Sequence, residues 1–154
     1  MGRWARCIKM ILGDDYEVVR SEFFVGAPRP AGKFATIKLI SGPSDYTIDE
    51  NLVFKTDGFC LQSAKWFSLS LQTFREGAAD AINLVRLKLY DPDIVDFLYR
   101  GHISVTTRGG VTDLSEELEV GWIDRFQCDI DFAMGIEVKT NVGIIENANI
   151  ESSL

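Results

Sequence analysis

Residues 115–133 read SEELEVGWIDRFQCDIDFA, and their alternation of apolar and polar residues predicts one long β-strand. Successive side chains of a strand point to opposite faces of its sheet. The apolar face is predicted to belong to the core, with a single break at Asp124, and it carries Val120, Trp122, Phe126, Cys128, Ile130 and Phe132. In the second half of this stretch the opposite face of the strand is predicted to be solvated and mostly acidic, and it carries Arg125, Gln127, Asp129 and Asp131.

The rest of the chain predicts β-rich segments on both sides of a helical insert. Helices are predicted at residues 3–12, 78–90 and 92–99, and strands at 16–25, 33–41, 63–74 and 102–107, with a turn at Arg108-Gly109-Gly110 and a β-prone tail at 136–150. The order lacks the βαβαβ alternation of a doubly wound nucleotide-binding fold. It predicts an α+β fold with a mixed, mainly antiparallel β-sheet and helices packed on one face.

Length and composition narrow the class of protein. A chain of 154 residues predicts a single domain over residues 1–154, with an N-terminal helix within 1–13 and a candidate C-terminal arm at 136–154. The net charge of −7 and the scattered lysines and arginines argue against a nucleic-acid-binding surface. No stretch of 18 apolar residues occurs, so we expect no membrane span. Three widely spaced cysteines without a C-x-x-C motif fit a reducing cytoplasm.

Residues that carry chemistry are sparse. A nucleophile–histidine arrangement would have to use His102, the one histidine, which reads as an ordinary surface residue at a strand start. Asp129 and Asp131 could approach a cation together, although paired acids on a strand face are usually only solvated. Neither a Walker-type nor a G-x-G-x-x-G phosphate loop is present. We therefore expect no catalytic residues, no cofactor and no metal site, and the alternative from another class is a small cytoplasmic acid/base hydrolase using His102.

Aromatic residues suggest contacts with other subunits. Trp66 falls on the polar parity of its strand, where it either packs under a loop or meets another subunit, since aromatic residues are enriched at interfaces. Phe23 and Phe24 are adjacent, so in a strand they point to opposite faces and one of them needs a second partner surface.

Three segments in fixed order carry a family resemblance. They are Ala27-Pro28-Arg29-Pro30 with the strand ending Leu39-Ile40-Ser41-Gly42-Pro43, the mid-chain strand leading into the helix near 78–90, and Thr112-Asp113-Leu114-Ser115 running to Gly121-Trp122-Ile123-Asp124-Arg125 and Cys128-Asp129-Ile130-Asp131-Phe132. In order and spacing the chain resembles the neck or tail terminator proteins of tailed bacteriophages, over about residues 18–145.

The resemblance implies a structural virion protein. Such α+β subunits assemble as a ring, expected to be a homohexamer, which caps the tail tube and joins it to the head-completion and neck proteins. The implied partners are the tail tube protein, the neck proteins and a sheath if the tail is contractile, while DNA only passes through the lumen. The implied location is the virion, after assembly in the host cytoplasm. The alternative within this class is another head–tail connector or a tail-tube-like protein. The candidate subunit-interface residues are Phe23, Phe24, Trp66, Arg125, Ile144 and Ile145.

Overall fold

The computed structural model describes residues 2–21, 29–44, 51–55, 58–118 and 121–140. Within these ranges the chain forms the following helices and strands. In order they are α1 Arg3–Leu12, β1 Glu17–Arg20, β2 Phe34–Ser44, β3 Asn51–Lys55, β4 Gly58–Phe74, α2 Ala78–Lys88, α3 Pro92–Tyr99, β5 Ile103–Asp113, β6 Glu116–Leu118, β7 Gly121–Ile123 and β8 Arg125–Thr140.

The main sheet is six-stranded, with the order β1-β2-β4-β8-β5 and with β3 paired to β4. β1 and β2 are parallel and the other pairs are antiparallel. β2 pairs with the C-terminal half of β4 and β3 with its N-terminal part, while β8 pairs with β4 from Phe59↔Thr140 to Phe74↔Arg125. The predicted α+β fold with a mixed, mainly antiparallel sheet is confirmed.

The helices cover one face of the sheet because their apolar positions recur at helical spacing. In the core, these apolar residues of the helices pack against every second residue of the central strands. Its members include Trp4, Cys7, Ile8, Ala35, Ile37, Leu69, Leu71, Ile82, Val85, Leu89, Ile94, Leu98, Cys128, Ile130 and Phe132. Each fully buried Leu, Ile or Phe stabilises the fold by roughly 1.5–3 kcal/mol relative to an exposed one.

Local signals in the sequence place the helix ends. Gly13 follows α1 with φ 75°, a left-handed conformation that glycine adopts without strain. Pro92 occupies the first turn of α3, and the Asp91 side chain caps it by accepting a hydrogen bond from the Asp93 backbone N–H at 3.2 Å. The predicted helices at 3–12 and 92–99 are confirmed, and α2 confirms the third to within two residues at its end.

The predicted single strand over residues 115–133 is wrong. β6 and β7 form a separate two-stranded sheet, and β8 begins only at Arg125. Asp124 lies between β7 and β8, and its carbonyl accepts a hydrogen bond from the Arg75 backbone N–H at 2.9 Å. Because Arg75 directly follows β4, this bond holds the β7–β8 junction against the end of β4. Trp122 is 64% exposed, so its predicted place in the core is also wrong. Cys128, Ile130 and Phe132 are buried as predicted, and Val120 lies outside the described residues.

The predicted turn at Arg108-Gly109-Gly110 is also wrong, because these residues lie inside β5. Arg108 pairs with Ile130 and Val111 with Cys128, so β5 carries one more residue than β8 here and forms a bulge. A Cβ atom on Gly109 would lie 3.0 Å from the Asp129 carbonyl oxygen. Glycine is needed here for a close strand approach, not for a reversal of the chain.

β8 continues beyond Gly135 as far as Thr140. Residues 136–140 of the predicted β-prone tail pair with residues 59–63 of β4 in the same chain. β4 and β8 therefore form a ribbon that extends past β5, whose last pair with β8 at this end is Ile103↔Met134. Residues 141–154 of the candidate arm, and residues 22–25 of the first predicted strand, lie outside the described residues.

Candidate functional site

The sheet face that points away from the helices carries a row of polar pairs. β4 and β8 place Ser68 opposite Asp131, Ser70 opposite Asp129 and Gln72 opposite Gln127. Ser68 Oγ donates a hydrogen bond to Asp131 Oδ1, Gln72 Nε2 donates to Gln127 Oε1 at 2.9 Å, and Gln127 Nε2 donates to Asp129 Oδ1 at 3.2 Å. The face predicted to be acidic is therefore a cross-strand hydrogen-bond network.

This face is less solvated than the sequence predicted. Gln127, Asp129 and Asp131 are half-buried, and Thr36 and Ser70 on the same face are buried. The long polar side chains lie along the surface of the sheet, because each forms a hydrogen bond with a residue on the adjacent strand or with a residue two positions away on the same strand.

Arg125 lies at the end of this network. Its Nε and Nη2 atoms donate to Gln72 Oε1 at 3.3 and 3.1 Å, and its backbone N–H donates to Ser115 Oγ at 3.1 Å. The guanidinium carbon is 5.6 Å from the centroid of Phe74, which stacks on Phe34 at 4.4 Å. Arg125 is half-buried and fixed within its own subunit, and its role at a subunit interface stays a prediction.

Among the other predicted interface residues, the structure describes only Trp66. Trp66 is half-buried and pairs with Ser44 of β2 and Ala133 of β8. It lines a shallow cleft of about 380 Å³ with Ser68 and Asp131. Phe23, Phe24, Ile144 and Ile145 lie outside the described residues, so their interface role also stays a prediction.

His102 lies in the tight connection between α3 and β5, with φ 57° and an exposed side chain. Its carbonyl accepts a hydrogen bond from the Gly135 N–H at 2.9 Å. It shares an open cleft of about 550 Å³ with Ser63 and Glu137. Within the described residues, no hydrogen bond connects the imidazole to a hydroxyl or a carboxylate.

Asp129 and Asp131 accept hydrogen bonds from Gln127 and Ser68. In the described part of the chain, no group of three or more His, Cys, Asp or Glu side chains could hold a metal ion. Burial raises the pKa of Cys7 to about 12, and burial also raises the pKa of Cys128. Both cysteines are therefore protonated near neutral pH. No helix in the described ranges is long and apolar enough to cross a membrane.

A groove at the N-terminal end of α1 was not predicted from the sequence. It has a volume of about 440 Å³, and its lining joins Trp4 of α1 and Leu39 of β2 to Phe132 and Met134 of β8. Arg3 and Arg20 also line it. Six separate segments, at the start of α1 and in β1, β2, β4, β5 and β8, build this groove, so no local sequence pattern marks it.

A family model described as phage neck terminator protein matches residues 4–153. No curated protein matches the chain.

Proposed function

The chain belongs to the phage neck terminator family and is a structural protein of the phage tail or neck, and we propose that it forms a ring that caps the tail tube. In this proposal the ring joins the tube to the head-completion proteins, and DNA passes through its hole. The observation that carries the proposal is the family match, which spans residues 4–153.

The strand edges support assembly into a ring. β5 is an outer strand of eleven residues, and among the described strands it pairs only with β8. An edge strand presents backbone donors and acceptors that a neighbouring chain can pair with. A contact between two different surfaces of identical subunits closes into a ring when the rotation per subunit fits.

The charge supports passage of DNA rather than binding. The chain has a formal net charge of −7, and Asp129 and Asp131 lie on the sheet face away from the helices. Carboxylates around a hole repel phosphates, so the duplex moves through without being held. The ring is a homohexamer in this proposal, and Trp66 and Arg125 contact the neighbouring subunit together with Phe23, Phe24, Ile144 and Ile145.

The proposed partners follow from the position of the ring. One side contacts the tail tube protein and the other contacts the head-completion or neck proteins, with a sheath as a further partner if the tail is contractile. The protein is assembled in the host cytoplasm and stays in the virion.

Particles that lack the protein test the proposal. Electron microscopy should show unjoined heads and tails of aberrant length, and the intact protein supplied in trans should restore joined particles. Purified protein should have six times the subunit mass in native mass spectrometry. Particles that lack the protein but have heads joined to tails of normal length would refute the proposal. Long stacks of rings instead of a single ring would identify a tube-like protein.

A further inference from the structure

The groove at the N-terminal end of α1 is lined mainly by apolar side chains. It lies between the start of α1 and the helix-covered face of the sheet. Its apolar lining consists of Trp4, Ala5, Ile37, Leu39, Phe67, Leu69, Ile103, Phe132 and Met134. Leu39 remains 43% exposed, so the groove could bury further apolar surface against an occupant.

Positive charge accumulates at the same place. The N-terminal end of a helix carries a partial positive charge, and anions stabilise it. α1 has no acidic residue in its first turn, and Gly2 at the N-cap supplies no side-chain hydrogen bond. Arg3 is held by donating from Nη1 to the Phe97 carbonyl at 2.8 Å. Arg20 is exposed beside Gly2, where an added Cβ atom would lie 3.3 Å from Arg20 Nη2.

Neither Arg3 nor Arg20 forms an ion pair with a carboxylate of the described residues. The groove therefore fits an extended apolar segment with one acidic side chain.

The segment at residues 141–154 has this chemistry. It contains Glu146 and Glu151, no lysine or arginine, and the large apolar residues Val142, Ile144, Ile145, Ile150 and Leu154. It follows Thr140, which pairs with Phe59 at the far end of the β4–β8 ribbon. Met134 lines the groove, so at about 3.3 Å per residue the ribbon carries Thr140 roughly 20 Å away from it.

We propose that residues 141–154 of one copy bind the α1 groove of a second copy. Ile144 and Ile145 contact the apolar lining, and Glu146 pairs with Arg20. The segment starts away from its own groove, which favours a neighbouring copy over its own chain. The inference rests on the proposed ring, because it supplies one contact between adjacent subunits.

Peptide binding tests the groove without requiring a ring. A full-length Ile145→Asp, Glu146→Lys variant cannot use its own segment, and it is titrated with a labelled peptide of residues 141–154. We expect a dissociation constant below about 1 mM, increased about ten-fold or more by Arg20→Glu or by Leu39→Ser. Arg6→Glu and Ile40→Ser are matched controls, because Arg6 is exposed on α1, Ile40 is 48% exposed on β2, and neither lines the groove. No binding, or equal effects of the groove and control variants, overturns the proposal.

A mixing experiment separates binding between copies from binding within one chain. Full-length Arg20→Glu provides an intact segment, and full-length Ile145→Asp provides an intact groove. Native mass spectrometry of the mixture should show one-to-one pairs that neither variant forms alone. A mixture without such pairs overturns binding between copies. If particles still require the protein but rings survive Arg20→Glu and Leu39→Ser, the groove proposal fails while the proposed function stands.

Discussion

Trp122 Nε1 donates a hydrogen bond to Asp124 Oδ1 at 2.9 Å, which holds the indole beside the junction of β7 and β8. The same aspartate that breaks the apolar alternation therefore positions Trp122, which lies outside the core. Trp122 is 64% exposed, so its indole ring presents apolar surface to solvent while its N–H is already hydrogen-bonded.

The free energy of unfolding should depend much less on the exposed Trp122 than on the buried Phe132. We expect Trp122→Ala to change the free energy of unfolding by less than about 0.5 kcal/mol, because the side chain is largely solvated. Phe132→Ala should cost about 3–5 kcal/mol, since Phe132 is buried between Trp4 and Phe67 at centroid distances of 4.9 and 5.2 Å. Urea unfolding of both variants measures this, and equal losses of stability would contradict it.

The sequence predicted the elements whose signals are local. α1 and α3 follow from helical spacing, from Gly13 after α1, and from Asp91-Pro92 at the start of α3. It could not predict the ends of strands, because these depend on a distant partner. The alternation of apolar and polar residues continues across Asp124, but in the folded chain the Asp124 carbonyl accepts a hydrogen bond from the Arg75 N–H and the strand is interrupted there. Gly109 has the sequence context of a turn residue, and only the folded chain brings it close to the Asp129 backbone.

The candidate site shows the same limit. The alternating sequence of β8 predicts its polar face. The hydrogen-bond network on that face could not be predicted, because it depends on Ser68 and Gln72, which lie 63 and 55 residues from their partners in sequence. The contacts that hold Arg125 likewise depend on Gln72, which lies 53 residues away in sequence, and the role of Arg125 at a subunit interface stays a prediction.

Two buried hydroxyls should respond differently to removal. Ser70 Oγ is buried without a hydrogen-bond partner among the described residues, so Ser70→Ala should leave the free energy of unfolding unchanged or raise it by up to about 1 kcal/mol. Thr73 Oγ1 is buried and donates to the Ala78 carbonyl at 2.8 Å. Thr73→Val should therefore lower the free energy of unfolding by about 1–3 kcal/mol. Chemical denaturation compares the two, and a larger loss at Ser70 would be inconsistent with this view.

Arg108 should contribute more to stability than other arginines on the surface. Its guanidinium lies 3.2 Å from the centroid of Tyr90, and Nη1 donates to the Arg86 carbonyl in α2. We expect Arg108→Gln to cost about 1–2 kcal/mol, because both contacts join β5 to the end of α2. Arg100→Gln, which removes an exposed pair with Asp96 at 2.7 Å, should cost less than about 0.5 kcal/mol. Thermal unfolding of the two variants should rank them in this order.

Alkaline pH should destabilise the protein partly through Cys7. Burial raises its pKa from 9.0 to about 12, so above pH 9 the unfolded chain loses the thiol proton while the folded chain keeps it. The unfolded state then gains stability, and the free energy of unfolding falls by at most about 1.4 kcal/mol per pH unit for this group between pH 9 and 12. Urea titrations at several pH values should show a smaller slope in Cys7→Ala. An unchanged slope would assign the effect to other groups, such as Tyr16, whose pKa burial also raises.

Two truncations should divide the tail into a part that folds with its own sheet and a part that does not. Removal of residues 136–154 leaves residues 59–63 of β4 without their partners in β8, so the free energy of unfolding should fall and aggregation should increase. Removal of residues 141–154 alone leaves every described pair of β4 and β8 in place, so the urea midpoint should stay close to that of the full chain. Only the shorter deletion can therefore report on assembly, and size-exclusion chromatography should show folded protein that no longer forms rings. A ring that persists after this deletion would place the subunit contact elsewhere, and the edge of β5 that pairs with none of the described strands would be tested next.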